Sequence, residues 1–194
     1  MPVATDRPSV TRARALLIGL LKQYGIPGYR LTLLEVQKLA YLLQAAGEPL
    51  RLNYVKHKYG PYAENLNHVL QRLEGHYIRG YGDRSRQAEI RLLPGAVEAA
   101  KAALANMPDA AKRLECVSRL IEGFETPYGL ELLATIHWVA QEDPRAAVDV
   151  TYAISGVHAW NPRKEELFKP EHVRKAWERL FEENWLSASV TVNC

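Results

Sequence analysis

The 194-residue sequence contains no apolar run close to the roughly 20 residues that a membrane-spanning helix needs. Nothing near Met1 resembles a signal peptide. Cysteine is scarce, since only Cys116 and Cys194 are present. Two cysteines are too few to hold a fold of this size together, and they favour a reducing compartment. These absences argue against the membrane and disulfide-rich secreted classes, so we expect a cytoplasmic protein.

The sequence also lacks the residue patterns of common catalytic and metal sites. His57, His68 and His76 lie close together, but none is paired with another at a spacing of four residues, and no cysteine or acidic residue nearby has ligand spacing. We find no glycine-rich phosphate loop, nucleophile elbow or Cys–His arrangement. Adjacent acids on a helix point apart, which makes them weak catalytic candidates. We therefore expect no catalytic residue, no metal and no cofactor.

The net charge of +3 conceals an asymmetry along the chain. Residues 1–100 contain 14 Lys and Arg against 8 Asp and Glu, a net charge of +6, and the remainder contain 11 against 14, a net charge of −3. The first part could meet an anionic partner and the second a cationic one. The alternative is that both surfaces are simply solvated.

A capping box marks the first clear helix of residues 31–93. Thr32 and Glu35 form a Thr-x-x-Glu pattern, which predicts a helix that begins at Leu33 and stops at Gly47. Its buried stripe is predicted from the apolar residues spaced three and four apart: Val36, Leu39, Ala40 and Leu43.

Gly60 and Pro61 separate this helix from the next. Proline suits the first helical position, so we predict a second helix from Pro61 to Glu74 with Tyr62 in its buried stripe. Gly60 is expected to supply an unusual backbone angle or a close approach. The pair is therefore predicted to be structural rather than a contact with a partner.

Residues 77–81 and 88–92 alternate with period two around a Gly82-Asp83 turn and predict a hairpin. Helix, helix and hairpin in this order predict a winged-helix-like part. After Pro94 the pattern becomes helical, and residues 128–141 are apolar on so many sides that they predict a central helix, with His137 packed in the core. The predicted fold class is mainly α with a small β-hairpin. The organisation that we predict is a disordered start at 1–8 and a single α-rich domain at 9–194, divided into a winged-helix-like part at 9–94 and a helical part at 95–194.

Four segments in register resemble one family. LEVQKLAYLLQ at 34–44 and KYGPYAENL at 58–66 are similar to the C-terminal domain of DarG antitoxins, and more distantly to the Panacea group of antitoxin domains. GFETPYGLELL at 123–133 and HAWNPRK at 158–164 extend the resemblance over most of the chain.

The resemblance implies an antitoxin that binds and inhibits a DarT-type DNA ADP-ribosyltransferase by direct protein–protein contact. Full-length DarG proteins resemble a fusion of this domain with a macrodomain that removes ADP-ribose from DNA. The glycine-rich plan of a macrodomain is absent from this sequence, so we expect no enzyme activity. We also expect a monomer when the toxin is not bound.

A toxin that modifies single-stranded DNA must hold the strand in a positively charged groove with stacking platforms. A surface that imitates the strand would inhibit it, with carboxylates in place of phosphates and an exposed aromatic ring in place of a base. The candidate toxin-binding residues are Tyr59, Glu122, Glu125, Trp160, Glu165 and Glu166. Packing under turns is the alternative role for the two aromatic residues.

The second reading is a winged-helix DNA-binding transcriptional regulator. Its candidate nucleic-acid contacts are the basic residues on or beside the predicted hairpin and recognition helix: Arg72, Arg79, Arg84, Arg86 and Arg91. The predicted recognition helix offers only Arg72 and His68 as basic groups, which is poor for phosphate contact. An exposed hairpin also carries charge to stay soluble.

Overall fold

The computed structural model describes residues 6–25, 31–82 and 88–187. The elements follow in this order: α1 (Arg12–Tyr24), β1 (Leu31–Thr32), α2 (Leu33–Ala45), β2 (Tyr54–His57), β3 (Gly60–Ala63), α3 (Leu66–Leu73), β4 (Ile78–Arg79), β5 (Glu89–Leu92), α4 (Ala96–Leu104), α5 (Pro108–Ile121), α6 (Pro127–Glu142), a 3-10 turn (Pro144–Ala147), α7 (Val150–His158), α8 (Pro162–Leu167) and α9 (Pro170–Glu182). The protein is mainly helical with small antiparallel sheets, which confirms the predicted fold class.

A three-stranded antiparallel sheet completes the first part of the molecule. Its strand order is β1–β5–β4, with Leu31 opposite Ile90 and Ile78 opposite Leu92. The chain order of helix, strand, helix, helix and hairpin does not conflict with a winged helix, and the β2–β3 hairpin is inserted between α2 and α3. The finer winged-helix assignment stays a prediction. Asp83, in the predicted turn of the β4–β5 hairpin, lies outside the described residues.

The capping box of α2 is present as predicted. The backbone N–H of Thr32 donates to Glu35 Oε2 at 2.7 Å, and the N–H of Glu35 donates to Thr32 Oγ1 at 3.3 Å. These reciprocal bonds satisfy two N–H groups that have no partner inside the helix. They fix the start of α2 and leave its buried stripe facing the core.

The predicted helix start at Pro61 is wrong, because Pro61 lies in strand β3 opposite Lys56. The helix begins only at Leu66, and Tyr62 is half-buried rather than fully buried. The reason is a contact with a distant residue. The side chain of the buried Gln37 accepts a hydrogen bond from the N–H of Ala63 at 3.0 Å and donates one to the Ala63 carbonyl at 2.9 Å. This clamp holds the segment extended beside α2.

The central helix of the second part is α6, as predicted. Its buried residues occupy every side of the helix, and it packs against α2, α7, α9 and β3. Buried apolar residues from both parts of the chain form one hydrophobic cluster. Asp143-Pro144 is a helix start signal that predicts one helix to about Ser155, and this prediction is wrong. The segment forms the 3-10 turn and then α7, because Asp149 accepts a hydrogen bond of 2.8 Å from the N–H of Thr151 and starts a new helix.

None of the helices in the described ranges has both the length and the apolar character that a bilayer crossing requires. Cys116 is buried in α5. Cys116 is disulfide-bonded, so the expectation of reduced cysteines is wrong. Cys194 lies outside the described residues.

Candidate functional site

The turn of the β2–β3 hairpin is held against the loop between α7 and α8. The indole Nε1 of Trp160 donates a hydrogen bond of 2.8 Å to the backbone carbonyl of His57. The Nδ2 of Asn161 donates one of 3.1 Å to the carbonyl of Lys58. Trp160 is 9% exposed, so little of its side chain can reach a partner. Its main structural role is to position the hairpin, and its part in toxin binding stays a prediction.

Gly60 lies close to side chains of α2 and α6 beneath the hairpin. Its φ of +95° lies in the left-handed region, which favours glycine. A Cβ at this position would lie 3.1 Å from Thr135 Oγ1 and 3.3 Å from Lys38 Cε. Both facts favour glycine, which fits the predicted structural role of the Gly60-Pro61 pair.

A buried ionic network lies beneath the hairpin. Glu131 on α6 accepts hydrogen bonds from Arg163 at 2.7 and 3.2 Å and from Lys164 Nζ at 2.5 Å. Lys164 also donates to Thr135 Oγ1 at 3.2 Å. Burial alone would raise the pKa of Glu131, but the bonds and charges of its two cationic partners lower it overall. The network therefore joins α6 to α8 with Glu131 ionised.

Lys38 is a second buried amine beside this network. Its Nζ donates a hydrogen bond of 2.7 Å to the carbonyl of Pro61, which ties α2 to strand β3. Burial lowers the pKa of Lys38 to about 7, while the charge of Glu131 raises it and that of Lys164 lowers it. The hydrogen bond from Lys38 thus holds strand β3 against α2. Burying the charged amine costs stability, and this cost depends on pH.

Tyr59 lies half-buried at the tip of the hairpin and is surrounded by cations. The guanidinium of Arg163 lies 4.6 Å from its ring centre and Lys58 Nζ lies 5.5 Å from it. Lys56 Nζ lies 4.6 Å from the ring of Trp160. These cation–π contacts give the predicted aromatic contact residues a basic surrounding rather than an acidic one.

The four predicted carboxylates are all exposed. Glu122 and Glu125 lie in the loop before α6, and Glu165 and Glu166 lie on α8. Glu125 accepts a hydrogen bond of 2.7 Å from the N–H of Gly123, which restrains its carboxylate in the loop. The first turn of α6 contacts the end of α8, so the two segments that carry these pairs meet at one junction.

Tyr128, which the sequence analysis did not single out, makes that contact. Its hydroxyl donates to the carbonyl of Leu167 at 3.3 Å and lies 2.8 Å from His172 Nδ1. Tyr128 is half-buried and borders a cleft of about 250 Å³ between the loop before α6 and α9. Its place in the resembling segment 123–133, directly after a Thr126-Pro127 helix start, was the signal that could have identified it. The cleft is lined by Gly123, Phe124, Thr126, Tyr128, Gly129, Leu132, His172 and Lys175.

Three of the five arginines predicted to contact nucleic acid lie in the described residues, and all three are exposed. Arg79 and Arg91 are exposed and lie directly opposite each other on β4 and β5. Arg72 is exposed in the last turn of α3. Arg84 and Arg86 lie outside the described residues.

The described histidines do not assemble into a metal site. In the described ranges, no group of three His, Cys, Asp or Glu side chains is placed to hold a metal ion. His137 is a core residue, as predicted, with its Nδ1 2.7 Å from the hydroxyl of Tyr41. Burial lowers the pKa of His137 to about 4, so the imidazole is neutral near pH 7.

No protein-family model matches the sequence. A protein of Thermus aquaticus named DNA ADP-ribosyl glycohydrolase is 47% identical over 180 residues, which cover 93% of this chain and 49% of that protein. Proteins of the same name from Mycobacterium tuberculosis and Mycobacterium bovis are each 36% identical over 156 residues, which cover 76% of this chain and 43% of theirs. The chain thus spans about half the length of the curated relatives it matches.

These relatives correct one expectation. We expected no enzyme because the sequence lacks the glycine-rich plan of a macrodomain, but the relatives that match 93% of the chain at 47% identity carry the name of an enzyme. The error came from judging activity by a single motif, whose absence does not decide the matter. The chain is homologous over most of its length to part of proteins named DNA ADP-ribosyl glycohydrolase.

Proposed function

We propose that this chain neutralises a toxin by direct contact, and that the toxin is a DNA ADP-ribosyltransferase of the DarT type. The relatives' name supports the choice of partner, because an enzyme that removes ADP-ribose from DNA acts on the product of such a transferase. The resemblance of the four segments to the toxin-binding domain of DarG antitoxins supports the mode of action. Toxin and antitoxin would meet in the cytoplasm, with the free antitoxin a monomer.

The observation that carries the proposal is the end of the molecule where α6 meets α8. Exposed carboxylates flank this junction in the sequence, Glu122 and Glu125 in the loop before α6 and Glu165 and Glu166 on α8, and Tyr128 is a partly exposed aromatic ring at the junction itself. Carboxylates can replace phosphates in a basic groove, and an aromatic ring can occupy a platform on which a base would stack. Tyr128 suits this second task better than the nearly buried Trp160. The chain would thus imitate the single-stranded DNA that the toxin modifies.

The Glu165→Lys/Glu166→Lys variant tests this mechanism. Toxin binding should compete with single-stranded DNA and weaken with salt. Because each exposed charge contributes up to about 1 kcal/mol, the reversal should raise Kd roughly 10-fold or more, mainly through slower association. Surface plasmon resonance at several salt concentrations measures both rates.

A control with the same change of charge is Glu64→Lys/Glu98→Lys, because both residues are exposed in the first part of the chain. It should leave toxin binding within about 2-fold of the unmodified protein. Formation of the complex with DNA still bound to the toxin, or equal binding by both variants, would rule out mimicry through α8.

The second candidate function is hydrolysis of ADP-ribose from DNA, which the name of the relatives favours. Its test is the release of free ADP-ribose from ADP-ribosylated single-stranded DNA incubated with this chain. Release in proportion to the protein concentration would support it. An unchanged substrate, with toxin inhibition retained, would leave direct binding as the function that this chain performs.

A further inference from the structure

The hairpin formed by β4 and β5 places two arginines side by side. Arg79 and Arg91 are directly opposite in the register, and such residues in antiparallel strands have Cα atoms about 4.5–5.5 Å apart. Like charges in this position destabilise a sheet. Neither side chain forms an ion pair with a carboxylate of the described residues. The fold therefore keeps a local repulsion that an external anion would relieve.

Among the described residues around the pair, three arginines against two acids leave an excess of positive charge. Glu74 lies nearby, and its carboxylate, which keeps its negative charge, accepts hydrogen bonds from the backbone N–H groups of Gly80 at 3.1 Å and Tyr81 at 3.2 Å. Glu89 lies on the same face of β5 as Arg91 and is one exposed acid against two exposed arginines. Arg72, in the last turn of α3, adds a third exposed cation to this part of the molecule.

Buried hydrogen bonds hold the hairpin rigidly on α3. The hydroxyl of Tyr81 donates to Asn67 Oδ1 at 2.8 Å, and Asn67 Nδ2 donates to the hydroxyl of Tyr62 at 3.1 Å. Tyr81 is 1% exposed. The backbone that carries the arginines is therefore held against α3, which reduces the entropy lost when the hairpin binds an extended partner.

The position of the aromatic rings distinguishes between two kinds of nucleic acid. Binding of single strands relies on exposed aromatic rings that stack with bases. The tyrosines next to this hairpin, Tyr77 and Tyr81, are 3% and 1% exposed and point into the core. The described surface thus offers cations without a stacking platform, which suits the phosphate backbone of a duplex.

We infer that Arg79 and Arg91, together with Arg72 on α3, form a binding surface for the phosphate backbone of double-stranded DNA. This surface lies on α3 and the β4–β5 hairpin, whereas the candidate toxin-binding carboxylates lie on α8 and in the loop before α6, and it does not depend on toxin binding. The contacts are to the backbone, so binding is largely independent of sequence and strongly dependent on salt.

Fluorescence anisotropy with a labelled 20-base-pair duplex and the full chain tests the inference. Each phosphate contact makes the slope of log K against log salt steeper by about 0.9. Losing one contact therefore lowers the affinity for the duplex roughly 8-fold at 0.1 M salt. The Arg79→Gln/Arg91→Gln variant should therefore bind the duplex roughly 60-fold more weakly, with a slope smaller by about 2. The Arg79→Lys/Arg91→Lys variant should retain most of the binding, because the charge is what contacts the backbone.

Lys112→Gln/Arg174→Gln is the matched control, because it removes two exposed cations from the second part of the chain. It should bind duplex within about 2-fold of the unmodified protein, and toxin inhibition should be unchanged in the Arg79→Gln/Arg91→Gln variant. An equal loss of duplex affinity in Arg79→Gln/Arg91→Gln and Lys112→Gln/Arg174→Gln would overturn the inference, because it would assign binding to net charge alone. Tighter binding of the single strand than of the duplex would also overturn it, and so would duplex binding that the Arg79→Gln/Arg91→Gln change leaves intact.

Discussion

Replacing Glu131 by glutamine should reduce the free energy of unfolding by about 3–5 kcal/mol, the usual cost of removing one partner from a buried ion pair. Glutamine keeps the size of the side chain and one acceptor oxygen, so the change removes mainly the negative charge. Lys164 is 0% exposed and would be left as a buried cation beside Arg163 and Lys38 without a counter-charge. The size of the effect therefore comes from desolvated charge rather than from lost packing.

Urea unfolding followed by circular dichroism measures the loss. With a slope of about 2 kcal/mol per M urea, a loss of 4 kcal/mol lowers the midpoint by about 2 M. Glu165→Gln removes an exposed carboxylate from α8, the helix that carries the cationic partners of Glu131, and should change the stability by less than about 0.5 kcal/mol. A loss below about 1 kcal/mol in Glu131→Gln would refute the reasoning, because it would mean that Lys164 does not need its partner.

The pH dependence gives a second check on the same residue. Because the pKa of Glu131 is lowered in the folded state, its contribution is present above its ordinary value of 4.5 and is lost as pH falls through the folded pKa. The stability difference between the unmodified protein and Glu131→Gln should therefore narrow as pH falls from 6 to 3. An undiminished difference at low pH would assign the effect to packing.

Two further predictions concern the β2–β3 hairpin, through Gly60 in its turn and Lys38, which binds strand β3. Gly60→Ala should lower Tm more than Gly123→Ala. Both glycines have positive φ, but of the two only Gly60 has atoms within 4 Å of a new Cβ. Toxin binding should fall in parallel with Tm, and lost binding at unchanged Tm would place the turn in the interface. For Lys38, burial lowers the pKa from 10.5 to about 7, so the unfolded chain binds more protons between those values and the residue costs more stability as pH falls. Lys38→Met should flatten the rise in the free energy of unfolding between pH 7 and pH 10, and an unchanged slope would show that the amine is not the titrating group.

Helices that are specified by neighbouring residues could be predicted from the sequence. The start of α2 depends on Thr32 and Glu35, three residues apart, and the sequence located it correctly. The central position of α6 followed from apolar residues on all of its sides. In both cases the physical signal lies within one segment of the chain.

The hairpin and its support could not be predicted in this way. A Gly-Pro pair before an amphipathic stretch favours a helix start. Here the side chain of Gln37, which is 26 residues from Ala63, holds the same residues extended. The contact between Trp160 and His57 spans 103 residues, and the bonds from Glu131 to α8 span 32 and 33. The sequence identified Tyr59 and Trp160 as candidates, but their cationic surrounding arises only from these long-range contacts.

The way in which the hairpin turn is anchored has a consequence for how such proteins can diversify. Trp160 and Asn161 bind the carbonyl groups of residues 57 and 58, which every amino acid possesses. The outward-facing side chains at these two positions can therefore be replaced without losing the anchor, provided that Gly60 is kept. The molecule thus combines an invariant attachment with replaceable contact groups at the tip. Recognition of a new partner could evolve there by single substitutions at little cost in stability.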